Sequence, residues 1–163
     1  MQALAKRVGE KLKASGDVLA TAESCTGGWV AQAVTSVAGS SEWFDRGFVT
    51  YSNAAKRELL GVRAETLAEQ GAVSEASARE MALGALGRSG ASLAVAVTGI
   101  AGPTGGTAAK PVGMVCFAWS RKPHAVKSET RYFKGDRESV RKQSVIRALE
   151  GVLDLLEEKA AEG

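Results

Sequence analysis

A serine, a tyrosine and a lysine that could together carry out nucleophilic catalysis lie within 16 residues of one another: Ser41, Tyr51 and Lys56. A buried lysine loses its charge and can take a proton from a hydroxyl, and a tyrosine can relay that proton. The only histidine, His124, lies in a charged segment, which disfavours a Ser-His-Asp triad and leaves the Ser–Lys variant of the same chemistry. The spacing by itself favours the plainer interpretation of a turn serine, a core tyrosine and a solvated lysine.

Two glycine-rich loops point to a different chemistry, the binding of an anion or a nucleotide. Residues 23–28 follow a predicted buried strand and lead into a helix, and residues 98–106 follow another buried strand. Ligands of open α/β sheets bind beyond the carboxyl ends of strands, where glycine lets backbone N–H groups approach a phosphate. Neither loop has the Walker or the G-x-G-x-x-G pattern. Each loop alone could be a tight turn, but two of them together favour a binding site.

The elements that must position these residues follow from hydrophobic periodicity and turn signals. Helices are predicted from residue 4 to Ser15-Gly16 and over 29–37, 53–61, 64–70, 75–88 and 136–156, with Asn53, Ser74 and Asp136 as N-caps. Strands are predicted over 18–22, 48–51, 93–97, 112–119 and 126–133, the last with one polar face that is typical of an edge. This order predicts an α/β fold, a single three-layer domain over residues 1–163 with a mixed, mostly parallel sheet flanked by helices.

Composition excludes several other classes of protein. The 163 residues are 45% hydrophobic, which fits one ordinary globular domain and not a disordered chain. The two cysteines form no C-x-x-C pair, so we expect neither a disulfide framework nor a metal site. The N-terminus lacks the apolar core of a signal peptide and no apolar run is long enough to span a membrane, so we expect a soluble, cytoplasmic protein. A net charge of +3 is too small to indicate nucleic-acid binding by itself.

The same segments carry a family resemblance. The chain resembles the CinA C-terminal domain family over about residues 5–155, and within it the stand-alone, PncC-type nicotinamide mononucleotide (NMN) deamidases. Two-domain members have an additional N-terminal domain, which we expect this chain to lack. The matching segments, in order, are residues 21–28, 39–41, 47–53 with Lys56, 71–74, 98–103 and 110–113.

The resemblance implies hydrolysis of the carboxamide of NMN to nicotinate mononucleotide and ammonia, as part of pyridine nucleotide recycling. It implies Ser41 as the nucleophile, with Lys56 and Tyr51 carrying its proton to the leaving ammonia. It also implies that substrate is bound by Ser24, Thr98 and Arg137. The glycine-rich loops add Thr26, Gly27, Gly28 and Gly99 to the predicted binding residues. Neither a metal nor another cofactor is implied.

Two other interpretations of the protein's function remain open. CinA-type proteins are linked by name to competence and DNA damage, so the chain could be a non-catalytic nucleotide-sensing or protein-interaction module. The basic segment 121–147 could bind nucleic acid, although no known motif supports this and we expect no such partner. An intact set of Ser41, Tyr51 and Lys56 favours the enzyme, because a binding module has no need of it. We also expect a homodimer or a larger homo-oligomer, and no membrane partner.

Overall fold

The computed structural model of the protein describes residues 1–123 and 125–162, with side chains through Glu158. His124, which the sequence places in an exposed turn, lies outside the described residues. Within these residues the chain forms six α-helices and five strands. The helices are α1 (Gln2–Ser15), α2 (Trp29–Thr35), α3 (Asn53–Leu60), α4 (Ala64–Gln70), α5 (Glu75–Gly87) and α6 (Arg137–Glu162), and a 3₁₀ turn covers Ser40–Glu42. The strands are β1 (Leu19–Glu23), β2 (Phe44–Val49), β3 (Leu93–Gly99), β4 (Met114–Arg121) and β5 (Ala125–Tyr132).

The five strands form one sheet in the order β2-β1-β3-β4-β5. β1 pairs in parallel with both β2 and β3, whereas β4 is antiparallel to β3 and to β5. Four of these five strands therefore run in the same direction, which confirms the predicted mixed, mostly parallel sheet. Glu23, Val49 and Gly99 end β1, β2 and β3 at the same edge, which we call the carboxyl edge.

Helices cover both faces of the sheet and create two cores, as a three-layer domain requires. On one face α1, α2 and α6 pack against large side chains such as Leu93, Phe117 and Trp119. On the other face α3 and α5 pack against a nearly all-alanine surface of β1, β3 and β4. Every residue of β1 is buried, because its two neighbouring strands and both helical layers enclose it. None of the helices in the described part of the chain is long and apolar enough to cross a membrane.

Two predicted element boundaries near the site are wrong. β2 begins at Phe44 and ends at Val49, not at 48–51, because pairing with β1 starts at Leu19 opposite Phe44 and ends at Glu23 opposite Val49. The N-cap of α3 is Ser52, not Asn53, since the Ser52 hydroxyl accepts a hydrogen bond from the Ala55 N–H at 3.0 Å. The other caps are as predicted: the Ser74 hydroxyl and the Asp136 carboxylate accept from the N–H groups of Ser77 and Ser139.

Candidate active site

A cavity of about 270 Å³ opens beyond the carboxyl edge of the sheet. Its lining comes from the chain just after β1, from Tyr51 to Lys56 after β2, from Ala72 and Val73, and from the loop that follows β3. Arg137, the first residue of α6, completes the wall. Parallel strands bring their carboxyl ends to one edge, so segments far apart in sequence meet at this cavity.

Lys56 is the most unusual residue of the cavity. Its side chain is 1% exposed, and its Nζ donates to Ser24 Oγ at 2.9 Å and to the Thr50 carbonyl at 2.8 Å. Burial lowers the pKa of Lys56 from its ordinary value of 10.5. Across residues 1–123 and 125–158 no carboxylate forms an ion pair with it. A lysine in such surroundings gives up its proton more readily than a solvated lysine and can act as a base.

Ser24 occupies the sharp turn between β1 and α2. Its own N–H donates to the Val97 carbonyl at 2.9 Å, which fixes it against β3. The preceding residue, Glu23, is 1% exposed, and its carboxylate accepts from the Thr26 hydroxyl at 2.7 Å. It also accepts from the N–H groups of Val30 and Ala31 at 2.8 and 3.1 Å. The buried carboxylate thus ties the turn to the first turn of α2 and holds Ser24 against Lys56.

The structure does not bring Thr26, Gly27 and Gly28 to the cavity. Thr26 is fully buried with its hydroxyl on Glu23, and Gly27 and Gly28 have φ angles of 59° and 101°, which suit the tight turn that glycine allows. The sequence predicts that N–H groups at the start of α2 bind an anionic ligand, but in the structure they donate to the Glu23 carboxylate. The chain's own carboxylate therefore takes the place of the expected ligand at this helix start.

Ser41 also lies apart from Tyr51 and Lys56 within one chain. It is exposed in the 3₁₀ turn that precedes β2, whereas Tyr51 and Lys56 follow β2. A strand of six residues at about 3.3 Å per residue separates the two ends by roughly 20 Å. The hydroxyl that a single chain presents to Lys56 is that of Ser24. The catalytic role of Ser41 stays a prediction from the resemblance, which paired variants can test.

The remaining predicted residues do meet at the cavity. Arg137 spans its mouth, with Nη1 donating to the Gly102 carbonyl at 2.7 Å and Nη2 donating to the Tyr51 hydroxyl at 2.9 Å. Tyr51 is 62% exposed and reaches the cavity from its rim. Thr98 is buried, and its hydroxyl donates to the Ala72 carbonyl at 2.9 Å. Thr98 and Gly99 together line the floor of the cavity.

Sequence reasoning missed three residues that shape the site: Glu23, Cys25 and Arg141. Cys25 lines the cavity beside Ser24, and burial raises the pKa of its thiol to about 12, so it stays protonated and is not the nucleophile. Arg141 donates from Nε and Nη2 to the carbonyls of Cys25 and Thr26 at 3.0 and 3.1 Å. One signal for Arg141 was available, because it lies four residues, about one helical turn, after Arg137.

Comparison with known proteins gives a family and close relatives. A family model described as the CinA C-terminal domain matches residues 1–156. A protein of Enterobacter agglomerans named nicotinamide-nucleotide amidohydrolase PncC is 55% identical over 150 residues, which are 92% of this chain and 92% of that protein. A protein of the same name from Pseudomonas putida is 53% identical over 152 residues, 93% of this chain and 94% of the relative.

Solved structures show the same fold. The structure of the competence/damage inducible protein CihA from Agrobacterium tumefaciens has a TM-score of 0.92 and 50% sequence identity, covering 94% of both chains. The structure of a CinA superfamily protein from Klebsiella pneumoniae has a TM-score of 0.93 and 43% identity, covering 96% of this chain and 98% of that one. At these identities the likeness extends from the fold to the sequence.

Proposed function

The chain belongs to the CinA C-terminal domain family, as its sequence motifs predict, and we propose that it is a nicotinamide-nucleotide amidohydrolase that converts NMN to nicotinate mononucleotide and ammonia. Relatives that bear this name match nine-tenths of the chain at more than half identity. The observation that carries the proposal is the buried Lys56 amine at 2.9 Å from the Ser24 hydroxyl, inside a cavity at the carboxyl edge. Burying a lysine without a carboxylate costs stability, so its presence favours chemistry over mere binding.

In the proposed first step, neutral Lys56 accepts the proton of Ser24 while Ser24 Oγ attacks the carboxamide carbon of NMN. The 2.9 Å separation of the two atoms is within the range for this transfer. The Thr50 carbonyl accepts from the same amine and fixes its direction. A tetrahedral intermediate forms, whose negative oxygen requires N–H donors. Backbone N–H groups after Ser24 or in the loop after β3 are the candidates for that role.

In the second step the Lys56 ammonium gives the proton to the departing nitrogen, and ammonia leaves. The product is an ester between Ser24 and the nicotinate carbonyl. Water then attacks this ester, with Lys56 again accepting a proton and returning it to Ser24 Oγ, which releases nicotinate mononucleotide. In both proposed steps every transferred proton passes through the Lys56 amine, so the reaction needs no metal or cofactor.

The rest of the proposed substrate lies toward the mouth of the cavity. Arg137 is a cation at that mouth, already oriented by Gly102 and Tyr51, and its guanidinium suits a phosphate. Thr98 and Gly99 form the floor on which the ribose or the pyridine ring would lie. A substrate of nucleotide recycling fits the predicted cytoplasmic location, and the predicted homo-oligomer is a separate expectation.

Purified protein, treated with a chelator, should release ammonia from NMN and form nicotinate mononucleotide. The reason is that the proposed chemistry uses only Ser24 and Lys56. Ammonia detection with chromatography of the nucleotide product measures both. Absence of turnover would contradict the proposal and would favour the sensing or interaction module. Turnover that disappears with chelator and returns with a divalent ion would contradict the metal-free chemistry proposed for Ser24 and Lys56.

Arg137→Ala should lower kcat/KM for NMN by about tenfold to a hundredfold, because a charge-assisted contact to phosphate is lost. Nicotinamide riboside, which has no phosphate, should be a poor substrate for the parent protein and should be affected much less by the substitution. Lys142→Ala, which removes an exposed cation of the same helix, is the matched control. Equal losses for the nucleotide and the riboside would show that Arg137 has a structural role only.

A further inference from the structure

Arg141 joins helix α6 to the turn that carries Ser24, although 115 residues or more separate them in sequence. Its guanidinium donates to two consecutive carbonyls, those of Cys25 and Thr26, at 3.0 and 3.1 Å. The same guanidinium stacks over the ring of Trp29 in α2, with 5.5 Å between its carbon and the ring centroid. Arg141 is not among the residues that line the cavity. One side chain thus fixes the turn to two helices from outside the site.

The contact continues from Arg141 to Ser24 through one peptide plane. In a trans peptide the N–H points opposite to the carbonyl, so holding the Thr26 carbonyl also fixes the Gly27 N–H. That N–H donates to the Ser24 carbonyl at 3.0 Å. Each link is rigid, because a planar peptide and a bidentate guanidinium have few free torsions. The direction of the Ser24 backbone therefore depends on Arg141.

Glu23 and Arg141 hold opposite sides of this turn. The Glu23 carboxylate accepts from the Thr26 hydroxyl of the turn and from the Val30 N–H at the start of α2, whereas Arg141 donates to the turn's carbonyls. A turn held on its donor side alone can still rotate its carbonyl-bearing peptides. Rotation there would move Ser24 Oγ relative to Lys56 Nζ, and the transfer of a proton between these atoms depends steeply on their separation.

We propose that Arg141 is a positioning residue for the hydrolysis: by clamping the carbonyls of Cys25 and Thr26 it keeps the Ser24 hydroxyl within hydrogen-bond distance of the Lys56 amine. This inference rests on the proposed attack by Ser24. It requires that loss of the clamp slows the chemical step and leaves substrate binding nearly intact, because Arg141 does not line the cavity.

The decisive comparison is between Arg141→Met and Arg147→Met. Arg147 is a matched control on the same helix, since it too stacks over a tryptophan, Trp119 at 5.2 Å, and binds partners away from the cavity, Glu129 and Asp154. We expect Arg141→Met to lower kcat by about tenfold to a hundredfold with KM changed by less than about threefold. Arg147→Met should leave kcat within about twofold. Arg141→Lys keeps the charge but cannot reproduce the fork, so it should restore only part of kcat.

An unchanged kcat in Arg141→Met would overturn the proposal, and so would a loss confined to KM, which would assign Arg141 to substrate. An equal loss of kcat in Arg147→Met would also overturn it, because the loss would then come from a general decrease in stability. Amide hydrogen exchange of residues 25–28 gives a readout independent of activity: it should accelerate in Arg141→Met or Arg141→Lys and not in Arg147→Met. If exchange accelerates but Ser24→Ala is fully active, the clamp exists and the proposed nucleophile is wrong.

Discussion

Lys56→Arg should be as inactive as Lys56→Ala, with kcat reduced by about a thousandfold or more relative to the parent protein. Arginine keeps the positive charge but cannot give up its proton in the accessible pH range, so it cannot serve as the base. Because arginine is larger than the enclosed lysine, Lys56→Met provides a second variant of similar length that keeps the packing. Steady-state assays with NMN, together with binding of NMN to each variant, separate loss of chemistry from loss of binding.

The pH dependence of the parent protein should report the same residue. Burial lowers the pKa of Lys56 below its ordinary value of 10.5, and the base is active only when it is neutral. The rate should therefore rise with pH through the lowered pKa of Lys56 and level off above it, and this ionisation should be absent from the residual activity of all three variants. A substantial fraction of activity in Lys56→Arg would mean that the lysine acts only through its charge.

The stability of the protein should follow the same titration, independently of activity. Between the lowered pKa of folded Lys56 and 10.5, the unfolded chain binds more protons than the folded one. The free energy of unfolding should consequently rise with pH across this window in the parent protein relative to Lys56→Met. Chemical denaturation at a series of pH values measures this difference. A difference that does not depend on pH would show that Lys56 titrates normally in the folded protein.

Ser24→Ala should remove nearly all turnover, by roughly 10³-fold to 10⁶-fold, and leave NMN binding measurable. The hydroxyl that contacts Lys56 would be lost, whereas the proposed phosphate contact at Arg137 would remain. Ser41→Ala should keep most of the activity, since Ser41 is exposed at the opposite edge of the sheet. Ser40→Ala, a neighbour in the same 3₁₀ turn, is the control for local disturbance.

The opposite result would contradict the assignment of Ser24. If Ser41→Ala is inactive and Ser24→Ala is active, the nucleophile is Ser41, as the family resemblance implies. In that case a second copy of the chain must bring Ser41 to Lys56. Mixing Ser41→Ala with Lys56→Met tests this directly, because two inactive variants would then restore activity in a mixed oligomer. Restored turnover would also reveal the homo-oligomer that the sequence predicts.

Local patterns in the sequence were sufficient for most of the fold. The apolar run 93–97 lies in β3, buried on both faces, and the half-polar run 126–133 largely coincides with β5 at the end of the sheet. The cap residues Ser74 and Asp136 start α5 and α6 as predicted. These features depend on side-chain burial and on hydrogen bonds between residues close in sequence. Cavity residues such as Tyr51, Lys56 and Arg137 were also found, because they follow recognisable strand ends or begin a helix.

Only the tertiary structure decided which of these residues meet. Ser41 and Lys56 are close in sequence, but β2 runs between them and separates them by the length of a strand. Ser24 is 32 residues from Lys56 in sequence, and the parallel pairing of β1 with β2 brings their carboxyl ends together. The glycine-rich turn and the helix start after it were predicted to bind an anion, and N–H groups in the first turn of α2 bind the buried Glu23 carboxylate instead. Such contacts depend on strand order and register, which no local pattern in one sequence contains.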